Sequence, residues 1–324
     1  MSIAAVLLRL KKHFFITFAL LLATLCVFSL IYLALTWAAD KSVDDLRQKW
    51  APPPSQFIDV SGLMVHVRDE GWHEDPEPVI LIHGASSSLH TWEVWAKELK
   101  KQHRVITMDL PGFGLTGPHQ TNDYSMTSYI QFMIDLMDTL HITRAALGGN
   151  ALGGEIAWET AIAAPNRVTR LILVNPTGYA TPPHAVPFDS SLARVPGLSW
   201  LRTCCLPHST VEQGVKDLYG NPEKVTASLV ERYEAMMLRT GNRKAFGMYL
   251  KQRDHDSDIE LMKQIAVPTL ILWGSKDPFI PMENAERFHQ DMAGSKLIMF
   301  DELGHVPQEE NPIVTLAAVN IFLQ

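Results

Sequence analysis

The first feature in the pattern of apolar and polar positions is one long uncharged run, Phe14 to Ala39, reading "FFITFALLLATLCVFSLIYLALTWAA". As a helix it would extend roughly 39 Å at about 1.5 Å per residue, more than the ~30 Å hydrocarbon core of a bilayer. The apolar centre of a cleaved signal peptide is only about 7–15 residues. The nearest small-x-small site, Thr36-Trp37-Ala38, comes too late in the run to serve one. The pattern therefore predicts a retained transmembrane anchor over residues 14–39, preceded by a basic flank over 1–13. Residues 40–55 read as a juxtamembrane linker, because the prolines of "KWAPPPSQF" cannot continue a helix.

From residue 56 the period alternates between two and about 3.6. "FIDV" and "MVHVRD" predict a first hairpin, and "PVILIHG" a buried strand. "HTWEVWAKELKK" predicts a helix, "HRVITMDL" a strand and "SMTSYIQFMIDLMDTL" a helix. "TRAALGGN" predicts a strand feeding the helix "LGGEIAWETAIAA", and "RVTRLILVN" a further strand. The alternation breaks over 176–265 and resumes with "PTLILWG", "MENAERFHQDM", "KLIMF" and "PIVTLAAVNIFL". Alternating strands and helices predict an α/β fold: a mostly parallel sheet with helices on both faces and reactive groups at the carboxyl ends of the strands. Residues 56–175 and 266–324 would form that core, and 176–265 an inserted helical cap or lid. In the cap, "PEKVTASLVERYEAMMLRTG" has a clear 3.6 period ending at Gly241.

Charge narrows the range of partners. The 324 residues carry a net charge of −7, and Arg9, Lys11 and Lys12 in the N-terminal flank leave the remainder more acidic still. An acidic body argues against a nucleic-acid partner. The basic flank predicts a cytoplasmic N-terminus and a body on the far side of the membrane. Of three cysteines, Cys26 lies inside the apolar run, and Cys204 and Cys205 are neighbours, which rarely bridge each other. Neither a disulfide scaffold nor a zinc spacing is present, and no cofactor is expected.

Three strand-end positions carry candidate chemistry in the order nucleophile, acid, base. Gly149-Asn150-Ala151-Leu152-Gly153 matches the G-x-S-x-G turn everywhere except its middle, where a methyl group replaces the hydroxyl. Asp277 in "LWGSKDPFIP" follows one strand, and His305 in "DELGHVPQEENP" follows the next. Such an acid holds an imidazole in its working tautomer, and the imidazole takes the nucleophile's proton. The backbone N–H groups of Ala85, after His83-Gly84, and of Leu152 would receive a developing oxyanion. His83 reads as ordering that loop, and Asp109 as a structural turn residue.

With "HGASSS", "MDLPGFGLTG", "GNALGG", "LWGSKDPFIP" and "LGHVPQEENP" in order, residues 56–324 resemble an α/β-hydrolase. Joined to the anchor, the chain is similar to membrane-anchored bacterial esterases and phospholipases of that family. The resemblance implies a carboxylic ester hydrolase of lipid-like acyl esters working through an acyl-enzyme. It also implies an inner-membrane location with a periplasmic catalytic body. Ala151 departs from the pattern while everything around it is intact. That reads as a Ser→Ala replacement that lets the chain bind substrate and barely turn it over. The cap offers Phe188, Leu192, Leu198 and Trp200 as an acyl-pocket wall.

Two other readings stay open. One is a hydrolase of carbon–carbon bonds in ring-cleavage products, whose members share the Gly-Asn-Ser elbow but show an aromatic residue where this chain has Val306. The other is a naturally non-catalytic, membrane-tethered ligand-binding protein. A homodimer through the apolar helix also stays open, although no small-xxx-small face supports it.

Overall fold

The computed structural model describes residues 3–179, 201–252 and 259–324. Helix α1, Ile3–Thr36, has a 27-residue apolar stretch from Leu10 with a mean hydropathy of 2.6, exposed along most of its length, with Thr36 at its end buried. It is the one helix among the described residues long and apolar enough to cross a membrane. It ends three residues short of the expected limit at Ala39. Beyond it Trp37 leaves the helix and pairs with Cys205 in an antiparallel bridge.

The segment 40–55, expected as a juxtamembrane linker, holds a short helix before its prolines. Val43–Trp50 form a helix, α2, opened by a capping box in which Ser42 and Asp45 satisfy each other's backbone N–H groups. Leu46 of α2 is buried among Leu115, Ala235 and Met236, so the segment is packed onto the body. Coil resumes only at Ala51 and the prolines after it.

Among the described residues the body holds one eight-stranded sheet in the order β1-β2-β4-β3-β5-β6-β7-β8. The hairpin β1 (Gln56–Val60) and β2 (Leu63–Gly71) is antiparallel, as is β2 against β4 (Arg104–Met108). From β4 through β3 (Val79–Ile82), β5 (Ala145–Asn150), β6 (Val168–Val174), β7 (Thr269–Gly274) and β8 (Lys296–Phe300) every pairing is parallel. Central strands are apolar at consecutive positions because both faces are covered. In β3, Ile80 and Ile82 join one apolar cluster while Val79 and Leu81 join the other. The first cluster takes in α4 (Met126–Thr139), α5 (Leu152–Ala163) and α11 (Glu283–Asp291). The second is closed by α3 (Glu93–Leu99) and α12 (Pro312–Leu323). Helices on both faces of a mostly parallel sheet are the architecture that the alternating periods predict.

The described part of the cap is helical: α6 (Leu201–Cys204), α7 (His208–Leu218), α8 (Ala227–Leu238), α9 (Asn242–Gln252) and α10 (Ile259–Met262). It holds the end of α1 through backbone bonds. Ala38 N–H donates to Cys204 O at 3.0 Å, Leu206 N–H to Thr36 O at 3.0 Å, and Lys41 N–H to Leu238 O at 2.7 Å. The Arg243 guanidinium closes the junction, donating to Ala38 O and Asp40 Oδ1 at 2.6 Å each.

Candidate active site

The turn from β5 into α5 is one residue wide, and that residue is Ala151, with φ 49° and ψ −115°. A side chain at positive φ is strained by roughly 1–3 kcal/mol, a cost found chiefly where function requires the geometry. The flanking glycines are needed for closeness. A Cβ on Gly149 would fall 2.1 Å from Gly153 O, and one on Gly153 would fall 2.1 Å from Ile82 O. Helix α5 can therefore sit directly over the sheet, with Ala151 at its head and only 6% exposed.

Asp277 and His305 lie beyond the ends of the neighbouring strands β7 and β8. His305 Nδ1 and Asp277 Oδ2 are 2.7 Å apart, and both side chains are nearly inaccessible to solvent. Because a carboxylate only accepts, the imidazole donates from Nδ1, which leaves Nε2 as its free acceptor. The other carboxylate oxygen, Oδ1, accepts from the backbone N–H groups of Phe279 (2.8 Å) and Ile280 (3.0 Å). The ring of Phe279 stands edge-on to His305 with centroids 5.3 Å apart.

Position 151 and His305 are linked through Asn150. Its side-chain amide donates to Val174 O and to His305 O, at 3.0 Å each, so the histidine's backbone is fixed to the residue before the elbow. On the other side lies the loop after β3. Leu110 N–H donates to His83 Nε2 at 2.9 Å, so the proton of a neutral His83 resides on Nδ1 and goes to Gly84 O at 2.7 Å. Burial pushes His83 below its ordinary value and outweighs the attraction of Asp109, which keeps the ring neutral. A Cβ on Gly84 would lie 3.3 Å from Ala151 Cβ, so loop and elbow are in contact. Ala85 follows Gly84 and Leu152 follows Ala151, so both flank that contact.

Asp109 belongs to a different network. It is fully buried and accepts from Leu89 N–H and Leu115 N–H, at 2.7 Å each, while His66 Nδ1 lies 2.7 Å from its Oδ2. Burial, the largest single effect, would raise its pKa, but the attraction and hydrogen bond of His66 together with the attraction of His83 and His90 hold the carboxyl below the usual range. A described cavity of about 330 Å³, lined in part by Trp50, Arg68, His90, Glu93 and Arg232, also lies away from Asp277 and His305. Phe188, Leu192, Leu198 and Trp200, expected in an acyl pocket, lie outside the described residues.

Asn175, Glu309 and Glu310 carry no motif of their own in the sequence, yet each holds part of the site. Asn175 donates from its side-chain amide to Asp277 Oδ2 at 2.8 Å and accepts from Gly274 N–H at 2.9 Å. Glu310 accepts from the backbone N–H groups of Gly304 (2.8 Å), Gly220 (2.9 Å) and Asn221 (2.9 Å), tying the loop that carries His305 to the cap. Glu309 pairs with Arg232 of α8 and accepts from Tyr233 Oη at 3.0 Å. The run "QEENP" close after the histidine was the available signal.

An elbow at the head of a helix, with a histidine–carboxylate pair at adjacent strand ends, defines a hydrolase of the α/β type. The family model for the alpha/beta hydrolase fold matches residues 77–312, and the chain belongs to that family. The 2-hydroxy-6-oxo-2,4-heptadienoate hydrolase of Pseudomonas putida is 31% identical over 281 residues, covering 83% of this chain and 95% of that protein. Among solved structures, a serine-to-alanine mutant of the meta-cleavage product hydrolase of Pseudomonas fluorescens, complexed with acetates, is 27% identical with a TM-score of 0.70. It covers 83% of this chain and 97% of its own. A membrane phospholipase A, described as a bacterial virulence factor, shares the fold at 22% identity and a TM-score of 0.69. It covers 96% of this chain and 98% of its own, so the similarity reaches into the N-terminal helix.

Proposed function

We propose that this chain is a membrane-anchored ester hydrolase of the serine type, acting on lipid-like acyl esters, with Ala151 standing where the nucleophilic serine acts. The observation that carries the chemistry is the His305–Asp277 pair beside a strained elbow at position 151. With a hydroxyl at 151, Nε2 of His305 takes its proton as the oxygen attacks the acyl carbon, and Asp277 stabilises the imidazolium that forms. The N–H groups of Ala85 and Leu152 receive the charge on the carbonyl oxygen. Return of the proton expels the alcohol, and water, activated by His305, then releases the acid from the acyl-enzyme. With Ala151 no covalent intermediate forms, and the chain holds substrate without turning it over.

The anchor supports the lipid-like substrate. Backbone bonds join α1 to the cap, so the cap lies at the membrane surface where acylated substrates reside. Arg9, Lys11 and Lys12 support a cytoplasmic N-terminus and a periplasmic body.

A second reading, a hydrolase of carbon–carbon bonds in ring-cleavage products, is favoured by the 31% identity to the Pseudomonas putida enzyme. Val306 after the histidine and the anchor weigh against it. The test is Ala151→Ser in detergent-purified full-length chain, assayed on esters and phospholipids of graded acyl length and on a ring-cleavage dienoate. A gain on the order of 10³–10⁶-fold on esters, abolished by adding His305→Ala, is the expected result. A comparable gain on the dienoate alone would replace the ester reading with the second one. No gain on either, in folded protein, would leave the chain a tethered binding protein.

A further inference from the structure

Cys204 and Cys205 sit where the anchor meets the cap. Their Sγ atoms are 3.0 Å apart, both residues are half-buried, and no disulfide joins them. The carbonyl between the two residues, Cys204 O, is the acceptor for Ala38 N–H. Cys205 is the bridge partner of Trp37, and the next residue, Leu206, donates to Thr36 O. The two backbone bonds that make this bridge between the end of α1 and this part of the cap therefore flank one dithiol.

We propose that Cys204 and Cys205 form a thiol–disulfide exchange site whose oxidation releases the clasp between the anchor and the cap. The reactant is a disulfide, RSSR. One thiol, as its thiolate, attacks a sulfur of RSSR and expels RS⁻, giving a mixed disulfide. The second thiol then displaces the other RS⁻, closing the Cys204–Cys205 bond. The two cysteines are oxidised, RSSR is reduced to two RSH, and the two thiol protons end on the released thiols. Burial, with the neighbouring thiol, pushes Cys204 up to about 11.

The structural consequence follows from reach. Adjacent Cα atoms are about 3.8 Å apart, whereas disulfide-bonded residues usually span about 4.4–6.8 Å. Ring closure must therefore twist the Cys204–Cys205 peptide out of its present orientation. That peptide carries the carbonyl that Ala38 uses, so closing the ring and keeping the clasp are incompatible.

The experiment uses the full-length chain in detergent with Cys26→Ala, leaving only the pair. Treatment with oxidised glutathione is expected to remove both titratable thiols, leave the protein two hydrogens lighter and leave no glutathione adduct. Amide exchange at Ala38 and Leu206 should rise about tenfold or more and return on reduction with dithiothreitol. Cys204→Ser and Cys205→Ser should each show no such increase. Thiols that stay titratable in the folded protein, or that stop at a stable mixed disulfide, would overturn the exchange site. Ring closure with unchanged exchange at Ala38 and Leu206 would overturn the release.

Discussion

Asn175 and Asp277, at the ends of the adjacent parallel strands β6 and β7, are joined by a 2.8 Å hydrogen bond from the side-chain amide to Oδ2. That oxygen also receives His305 Nδ1 at 2.7 Å. Asn175 is itself held, since its Oδ1 accepts from Gly274 N–H at 2.9 Å. The carboxylate is therefore aimed by a side chain that never touches the imidazole. In the Ala151→Ser background, Asn175→Ala is expected to lower kcat by roughly 10–100-fold, with KM changing far less, because misaiming by about 1 Å has that cost. Steady-state kinetics check it, and an unchanged kcat would remove Asn175 from the positioning of the pair.

Ala151 at φ 49° also makes a prediction about stability. Ala151→Gly removes the positive-φ strain of roughly 1–3 kcal/mol and adds about 0.5–1 kcal/mol of unfolded-state entropy. A net stabilisation of about 1 kcal/mol, read as a rise of roughly 2 °C in Tm, is expected by calorimetry. A lower Tm would mean the methyl group packs well enough to outweigh the strain.

Acid should destabilise the body in two stages. Burial, only partly offset by Asp109, drives His90 down to about 4, while its Nε2 donates to Trp50 O at 2.8 Å. Its folded pKa lies below the unfolded one, so the unfolded chain binds the extra proton and stability falls as pH drops from about 6.5 toward 4. Asp109 is depressed as well, so its contribution is full above about pH 4 and is lost as pH falls below that. Urea titrations of His90→Gln should show a flatter slope over the upper window only. An unchanged slope there would assign the acid sensitivity to another group.

Glu310 has a fully inaccessible side chain and three backbone donors. Glu310→Ala leaves the buried Gly304 N–H without a partner and hands those of Gly220 and Asn221 to water, at a cost of about 1–3 kcal/mol. In the Ala151→Ser background kcat is expected to fall as well, because Gly304 precedes His305. A Glu310→Ala protein with wild-type stability would show that water replaces the carboxylate.

The parts of the site that bond to one another through side chains set by local motif were readable in the chain. "GNALGG", Asp277 and His305 each follow a run whose period ends where a strand ends. The hairpin and the parallel core were readable for the same reason. The holding residues were not. Asn175 and Glu310 act on backbone N–H groups and on a neighbour's carboxylate, which leave no spacing signature. Helix α2 was hidden by the prolines after it, although "SVDD" carries its capping box. The clasp between 36–41 and the cap joins positions some 160–200 residues apart, as with Ala38 to Cys204 and Lys41 to Leu238, a pairing that no local period encodes.

With α1 in a bilayer, as proposed, the backbone bonds from its end to the cap make the cap the stationary half of the molecule. Any hinge motion that widens the gap between cap and sheet then displaces the sheet, carrying Ala151, Asp277 and His305 with it, toward the aqueous phase. The lid would act as a floor, and the catalytic core as the part that lifts.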